Sequence, residues 1–299
     1  MQIAQVSSYC LGDASSIVSH AMISGDGELF GALVDGHPVL VRFDRNPVEL
    51  PPEIMLDSYT AAALSSDGMY LALGTNEALK IVEIASRTIR IATVEAIHHL
   101  VWHADEPTLV VGHQQNKLSF WNSSAECEGK INLPVPRSQR NWRVVFDGDE
   151  NRVFAVSSFP TPNWLCVSSS TQCACKLRLP DESFMHDLIA WQQGVLGVLS
   201  DHAMRFTLVP YTTELKPQLV EPMLLETDIT ALAASPDTRW IAAGTVEGEL
   251  WILDAETLKI VTRRSLFLPH PIHTLATCAA DYVVAGSEDG YLKFIELFT

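Results

Sequence analysis

A chain of 299 residues, 47% of them apolar, is long enough to bury a continuous core. Its 20 Lys and Arg against 36 Asp and Glu leave a net charge of −16, which repels a phosphate backbone and argues against direct nucleic-acid binding. No apolar run reaches the roughly 18 residues a membrane-spanning helix requires, the opening Met1 to Val6 lacks the basic start of a signal peptide, and six unevenly placed cysteines do not make a disulfide framework. A cytoplasmic chain with reduced thiols and no membrane contact is expected.

Along the chain, short β-rich runs alternate with turn residues. A spare segment, residues 2–11, precedes the first unit, 17–54, whose hairpin turns are Ser24-Gly25-Asp26-Gly27 and Asp35-Gly36. The second, 59–96, reads Ser65-Ser66-Asp67-Gly68, then Tyr70 to Gly74, then Leu79 to Ile84, and Ile89 to Val94 alternates with the period of a half-buried strand. The third, 97–135, carries Leu118-Ser119-Phe120-Trp121-Asn122. In the fourth, 141–180, the second turn is stretched over Phe159 to Trp164, and the fifth, 185–222, is placed by spacing alone. The sixth, 228–267, and seventh, 271–299, repeat one another: Trp240 to Gly244 matches Tyr282 to Gly286, and Leu250 to Asp254 matches Leu292 to Glu296. Aligning the second strands on Leu33, Gly74, Gly112, Ser157, Ser200, Gly244 and Gly286 gives intervals of 38 to 45 residues.

A unit of about 42 residues with this order, and Trp121-Asn122 where a Trp-Asp pair is expected, resembles the WD40 repeat, one four-stranded blade of a β-propeller. The resemblance spans nearly the whole chain and implies an all-β, seven-bladed, WD40-like propeller forming a single domain, with six or eight blades as the alternatives. The seventh unit supplies three strands before the chain stops, so residues 2–11 are expected to pair into it and close the ring. By the same resemblance the protein is a non-catalytic platform for protein partners and a subunit of a larger assembly.

Searching for chemistry gives little. Gly-x-Ser-x-Gly, a phosphate-binding Gly-rich Lys-Ser/Thr loop and His-Glu-x-x-His are all absent, so no catalytic residue, cofactor or metal is assigned, and Cys173-x-Cys175 reads as strand rather than zinc knuckle. Stacking the inner strands puts Ser19, Thr60, His98, Trp142, His186, Thr230 and His273 in one ring, followed by His20, His99, Arg143 and Asp187. His98, His186 and His273 are read either as members of His–Asp bonds within each blade or as partner contacts. A second patch, Arg137, Arg140, Trp142 and Arg143 with Phe159 and Trp164, combines residue types that anchor interfaces, against the alternative that the tryptophans fill gaps between divergent blades. The acidic surface suits a basic protein or peptide. Two other functions stay open: an enzyme or small-molecule binder using the central channel, and an acidic inhibitor or immunity-type protein masking a basic partner.

Overall fold

The turn residues meet the demands of hairpin geometry. Asp35 and Gly36 both take left-handed backbone, with φ of +50° and +82°, the combination that twists a two-residue loop in the same sense as its strands. At the other end of the hairpins the Ser-x-Asp turns close through side chains. Ser24 Oγ donates to Asp26 Oδ1 at 2.6 Å and accepts the Leu29 N–H at 3.0 Å, and Ser65 repeats this with Asp67 and Tyr70.

The computed structural model describes all residues except 14, 45, 105, 115, 135–139, 148–151, 159–163, 169–172, 180–182, 193, 202, 204, 218–222, 280 and 299. At 140–142, 147, 157–158, 164 and 173–175 it describes the backbone only. After β1 (Gln2–Cys10), the first sheet holds β2 (Val18–Ile23), β3 (Leu29–Val34) and β4 (His37–Arg42). The second holds β5 (Ala61–Leu64), β6 (Tyr70–Gly74), β7 (Ala78–Glu83) and β8 (Thr88–Thr93), and the third β9 (Ile97–Trp102), β10 (Thr108–His113), β11 (Lys117–Asn122) and β12 (Cys127–Asn132). The fourth is β13 (Arg140–Asp147), β14 (Arg152–Ser158), β15 (Trp164–Ser168) and β16 (Cys173–Arg178), and the fifth β17 (Phe184–Trp191), β18 (Gly194–Ser200), β19 (Phe206–Thr212) and β20 (Met223–Leu224). The sixth is β21 (Ile229–Ala234), β22 (Trp240–Thr245), β23 (Glu249–Asp254) and β24 (Ile260–Ser265). The last has β25 (Ile272–Thr277), β26 (Tyr282–Ser287) and β27 (Tyr291–Phe298), with β1 outermost.

Each sheet's first strand packs on the first strand of the next, from β2 through β5, β9, β13, β17, β21 and β25 and back to β2. The seven sheets therefore stand as blades around a closed ring. β1 runs antiparallel to β27, with Gln2 opposite Phe298 and Cys10 opposite Tyr291. Blade one lacks a regular fourth strand among the described residues: Val48 N–H still bonds the Leu40 carbonyl at 2.9 Å, but Pro47, Pro51 and Pro52 bring no donors, and the chain turns into a short 3-10 helix, Pro52–Ile54.

The core lies between blades. Val18 and Phe30 of the first pack with Val284 and Phe294 of the last, and Ala61 and Leu79 of the second with Ile97 and Trp121 of the third. This explains the small residue on which the repeats align. A Cβ on Gly74, at the end of a second strand, would sit 2.6 Å from Ile97 Cγ2 of the next blade, so glycine there permits the close approach. Among the described residues no helix is long and apolar enough to cross a membrane.

Candidate functional site

All seven inner strands begin at the same mouth of the channel. Six of them slip register near that mouth, between Ser19 and Met22, around His98, and across Asn141/Arg143, Met185/Asp187, Ile229/Ala231 and Ile272/Thr274. A bulge sets two residues against one on the neighbouring strand. Adjacent residues, which a regular strand would send to opposite faces, then reach one space: His98 with His99, His186 with Asp187, His273 with Thr274. Together with His20, Arg143 and Thr230 they line a cavity of about 260 Å³.

Side chains at this level link the blades in a complete circuit. The His20 ring donates to the Thr60 carbonyl, and Thr60 Oγ1 donates to the Ile97 carbonyl at 2.8 Å. His99 Nε2 accepts from Arg143 Nη1 at 3.3 Å, while Arg143 Nε lies 2.8 Å from Asp187 Oδ1. That last approach is too oblique for a directed N–H···O bond, so it acts as a charge contact. Asp187 Oδ2 accepts the Leu232 N–H at 2.6 Å and Oδ1 accepts its neighbour Leu188 at 2.8 Å. Thr230 Oγ1 donates to the Ile272 carbonyl at 2.5 Å, and Thr274 Oγ1 accepts the Ala21 N–H at 2.8 Å, returning to blade one.

Burial dominates the electrostatics of the circuit. It pushes His20 down to about 4, with the Arg143 charge adding to the effect and the Thr60 bond opposing it. Burial and then Arg143 hold His99 well below its ordinary range, and burial also lowers His186 against the pull of Asp228 and Asp187. Asp187 is raised by burial, opposed by Arg143 and the two backbone N–H bonds. The exposed charge is the guanidinium: the Arg143 side chain is 32% exposed and that of Asp187 only 5%.

Of the residues anticipated from sequence, His98, His186, His273 and Arg143 meet in this cavity. Arg140 and Trp142 belong to β13 and Trp164 to β15, their side chains lying outside the described part, as do Arg137 and Phe159 altogether. The expected His–Asp bonds take another form. His186 Nε2 bonds Ser200 Oγ at 2.7 Å, and His273 Nε2 stands 3.4 Å from Glu288 Oε2. Blade three has its own network, unforeseen in the sequence: His113 Nδ1 donates to the Glu95 carbonyl at 3.2 Å, so Nε2 accepts from Ser119 Oγ at 2.5 Å, which accepts Trp121 Nε1–H at 2.6 Å. Among the described residues no three of His, Cys, Asp and Glu are grouped to hold a metal ion.

The face around the mouth is apolar and acidic. Ile17, Leu56 and Leu268 on linkers, Val246 in a second turn, and Phe184 and Tyr291 at the starts of β17 and β27 all stand at this end, between 38% and 83% exposed. Asp57, Glu77, Asp228, Glu247, Glu288 and Asp289 occupy loops at the same end. A signal for the apolar set was present in the sequence, since turn positions ordinarily favour small polar residues.

Seven blades, inner strands around a polar channel and β1 as the outer strand of the last blade define a seven-bladed β-propeller of WD40-like architecture. Among solved structures it is similar to the β-propeller domain of Cps50 (Swd1) from Myceliophteria thermophila, with a TM-score of 0.75 and 11% identity over 99% of each chain. That likeness is one of fold. No family model and no curated protein matches the sequence.

Proposed function

We propose that the protein is a non-catalytic platform that holds protein partners against the mouth face of the ring. The observation that carries this is the set of large apolar side chains exposed at that one end of the ring, Leu56 and Leu268 foremost, which a docking partner would withdraw from water. Rigid blades keep the loops in place without a ligand, which lowers the entropy lost on docking. The acidic residues on the same loops suit a partner whose contact surface is basic, drawn in at an enhanced rate. His98, His186, His273 and Arg143 are the proposed contacts at the centre. Arg137, Arg140, Trp142, Phe159 and Trp164 extend the proposal into the fourth unit.

The test is capture of partners by the intact chain, repeated with Leu56→Asp/Leu268→Asp on the mouth face and with Met69→Asp on the opposite face. The platform predicts that the first variant loses its partners while the second keeps them, both melting like the parent. Equal capture by all three removes the mouth face from consideration. A second reading, a small ligand in the channel, draws support from the ionisable groups that converge there.

A further inference from the structure

The geometry points to the channel mouth as a seat for one anionic oxygen group, a phosphate or a carboxylate, with the Arg143 guanidinium as its charge partner and Asp187 as the positioning residue behind it. The cavity, at about 260 Å³, lies near the lower bound of ligand pockets, and so fits one acidic group rather than a cofactor.

The polarity of the walls selects the charge. Asp187 is the carboxylate of the lining, yet both oxygens are committed, Oδ1 to Leu188 and Arg143, Oδ2 to Leu232. Its remaining surface is nearly closed to the channel. Arg143 is the lining's cation, and its side chain opens to the channel. Its field reaches His20 of blade one and His99 of blade three, where it disfavours a second positive charge. A ligand carrying positive charge would meet the same repulsion, whereas an anion would relieve it. The guanidinium fork is the donor arrangement that matches carboxylate and phosphate oxygens. Two carboxylates stand nearby on the rim: Glu288, beside His273 and His270, and Asp228, near His186. The seat therefore lies toward His20, His99 and Arg143, and a matching partner would carry its acidic group amid basic surroundings.

As a description of what a partner inserts, this rests on the platform reading, but the seat can be tested without any partner. Full-length protein with labelled histidines is titrated with inorganic phosphate, and in a parallel arm with acetate, at constant ionic strength, following the imidazole resonances by NMR. The expected result is a saturable shift at His20 and His99 that exceeds any at His186 and His273, with His37 unmoved. Shifts in one arm only assign the seat to phosphate or to carboxylate. In Arg143→Gln/Asp187→Asn, which removes both charges together, affinity falls by roughly tenfold or more. If that variant does not fold, Arg143→Lys, which keeps the charge and loses the fork, is expected to bind several-fold more weakly. No shift in either arm, or undiminished affinity in the folded variants, overturns the seat. A seat that binds phosphate in a protein whose partners ignore Leu56→Asp/Leu268→Asp would sink the platform alone.

Discussion

Gly286 of the seventh blade lies against Val18 of the first: a Cβ at Gly286 would come 2.6 Å from Val18 Cγ1 and 3.0 Å from Thr274 Cγ2. Val18 is fully buried and β-branched, so it has few rotamers with which to retreat. Gly286→Ala should destabilise the fold by about 1–3 kcal/mol. Adding Val18→Ala, which vacates the contested space, should recover part of that loss. Denaturant unfolding of the three variants measures both, and an additive double variant would rule out the contact as the cause.

His20 makes stability depend on acid. The unfolded chain takes up a proton near 6.5, but the folded protein resists it until about 4. Stability from this group is therefore complete above pH 6.5 and lost as pH falls through about 4, a loss of roughly 2 kcal/mol by pH 5. His99 and His186 are lowered too and act in the same direction. Asp187, raised by burial, works the opposite way and offsets part of the loss. Melting curves between pH 7.5 and 5 should slope steeply for the parent and less for His20→Gln; parallel slopes would show that His20 is not responsible.

The Arg143 and Asp187 pair joins blades four and five. Asp187→Asn leaves the guanidinium beside an uncharged amide and should cost about 2–3 kcal/mol. Arg143→Met strands a carboxylate that retains its two backbone donors, so it should cost less. Together they should cost less than their sum, with a coupling of about 1–2 kcal/mol. A double-mutant cycle with no coupling would mean that the pair contributes nothing to stability.

Ser119 serves two partners in blade three, accepting from Trp121 and donating to His113. Ser119→Ala leaves two buried nitrogens unsatisfied and should cost about 2–4 kcal/mol, more than an ordinary buried hydroxyl. Removing His113 as well, as His113→Phe, should add little. Urea midpoints for the two variants decide it.

The blades were legible where turns need left-handed backbone and glycine or aspartate supplies it, as at Asp35-Gly36 and Gly68. They faded in the fifth unit because Gln192 and Leu215 adopt the same conformation, with φ of +48° and +59°, and neither residue signals a turn. The ring of inner-strand residues could be aligned by spacing, and both members of His98-His99 and His186-Asp187 were on that list. What alternation could not show was why neighbours share a space, since a bulge breaks the two-residue period on which strand patterns rest. Nor could it pair His20 with Thr60 or Asp187 with Leu232, because these bonds cross between blades and depend on how the blades are rotated. On one of the two readings the histidines were to find aspartates within their own blades, the other making them partner contacts. Ser200 and Glu288 took those places because they stand at the top of the second strand and in the turn that follows it.

Strand Gln2–Cys10 finds its partner only in Tyr291–Phe298, six blades further along the chain. It has no fully buried position, so it tolerates water while the other blades are made and stacked in succession. Docking of β1 on β27 then seals the ring within one sheet. Pulling apart Gln2 and Phe298, which stand opposite one another, would thus peel that seam open rung by rung before any other blade is loaded.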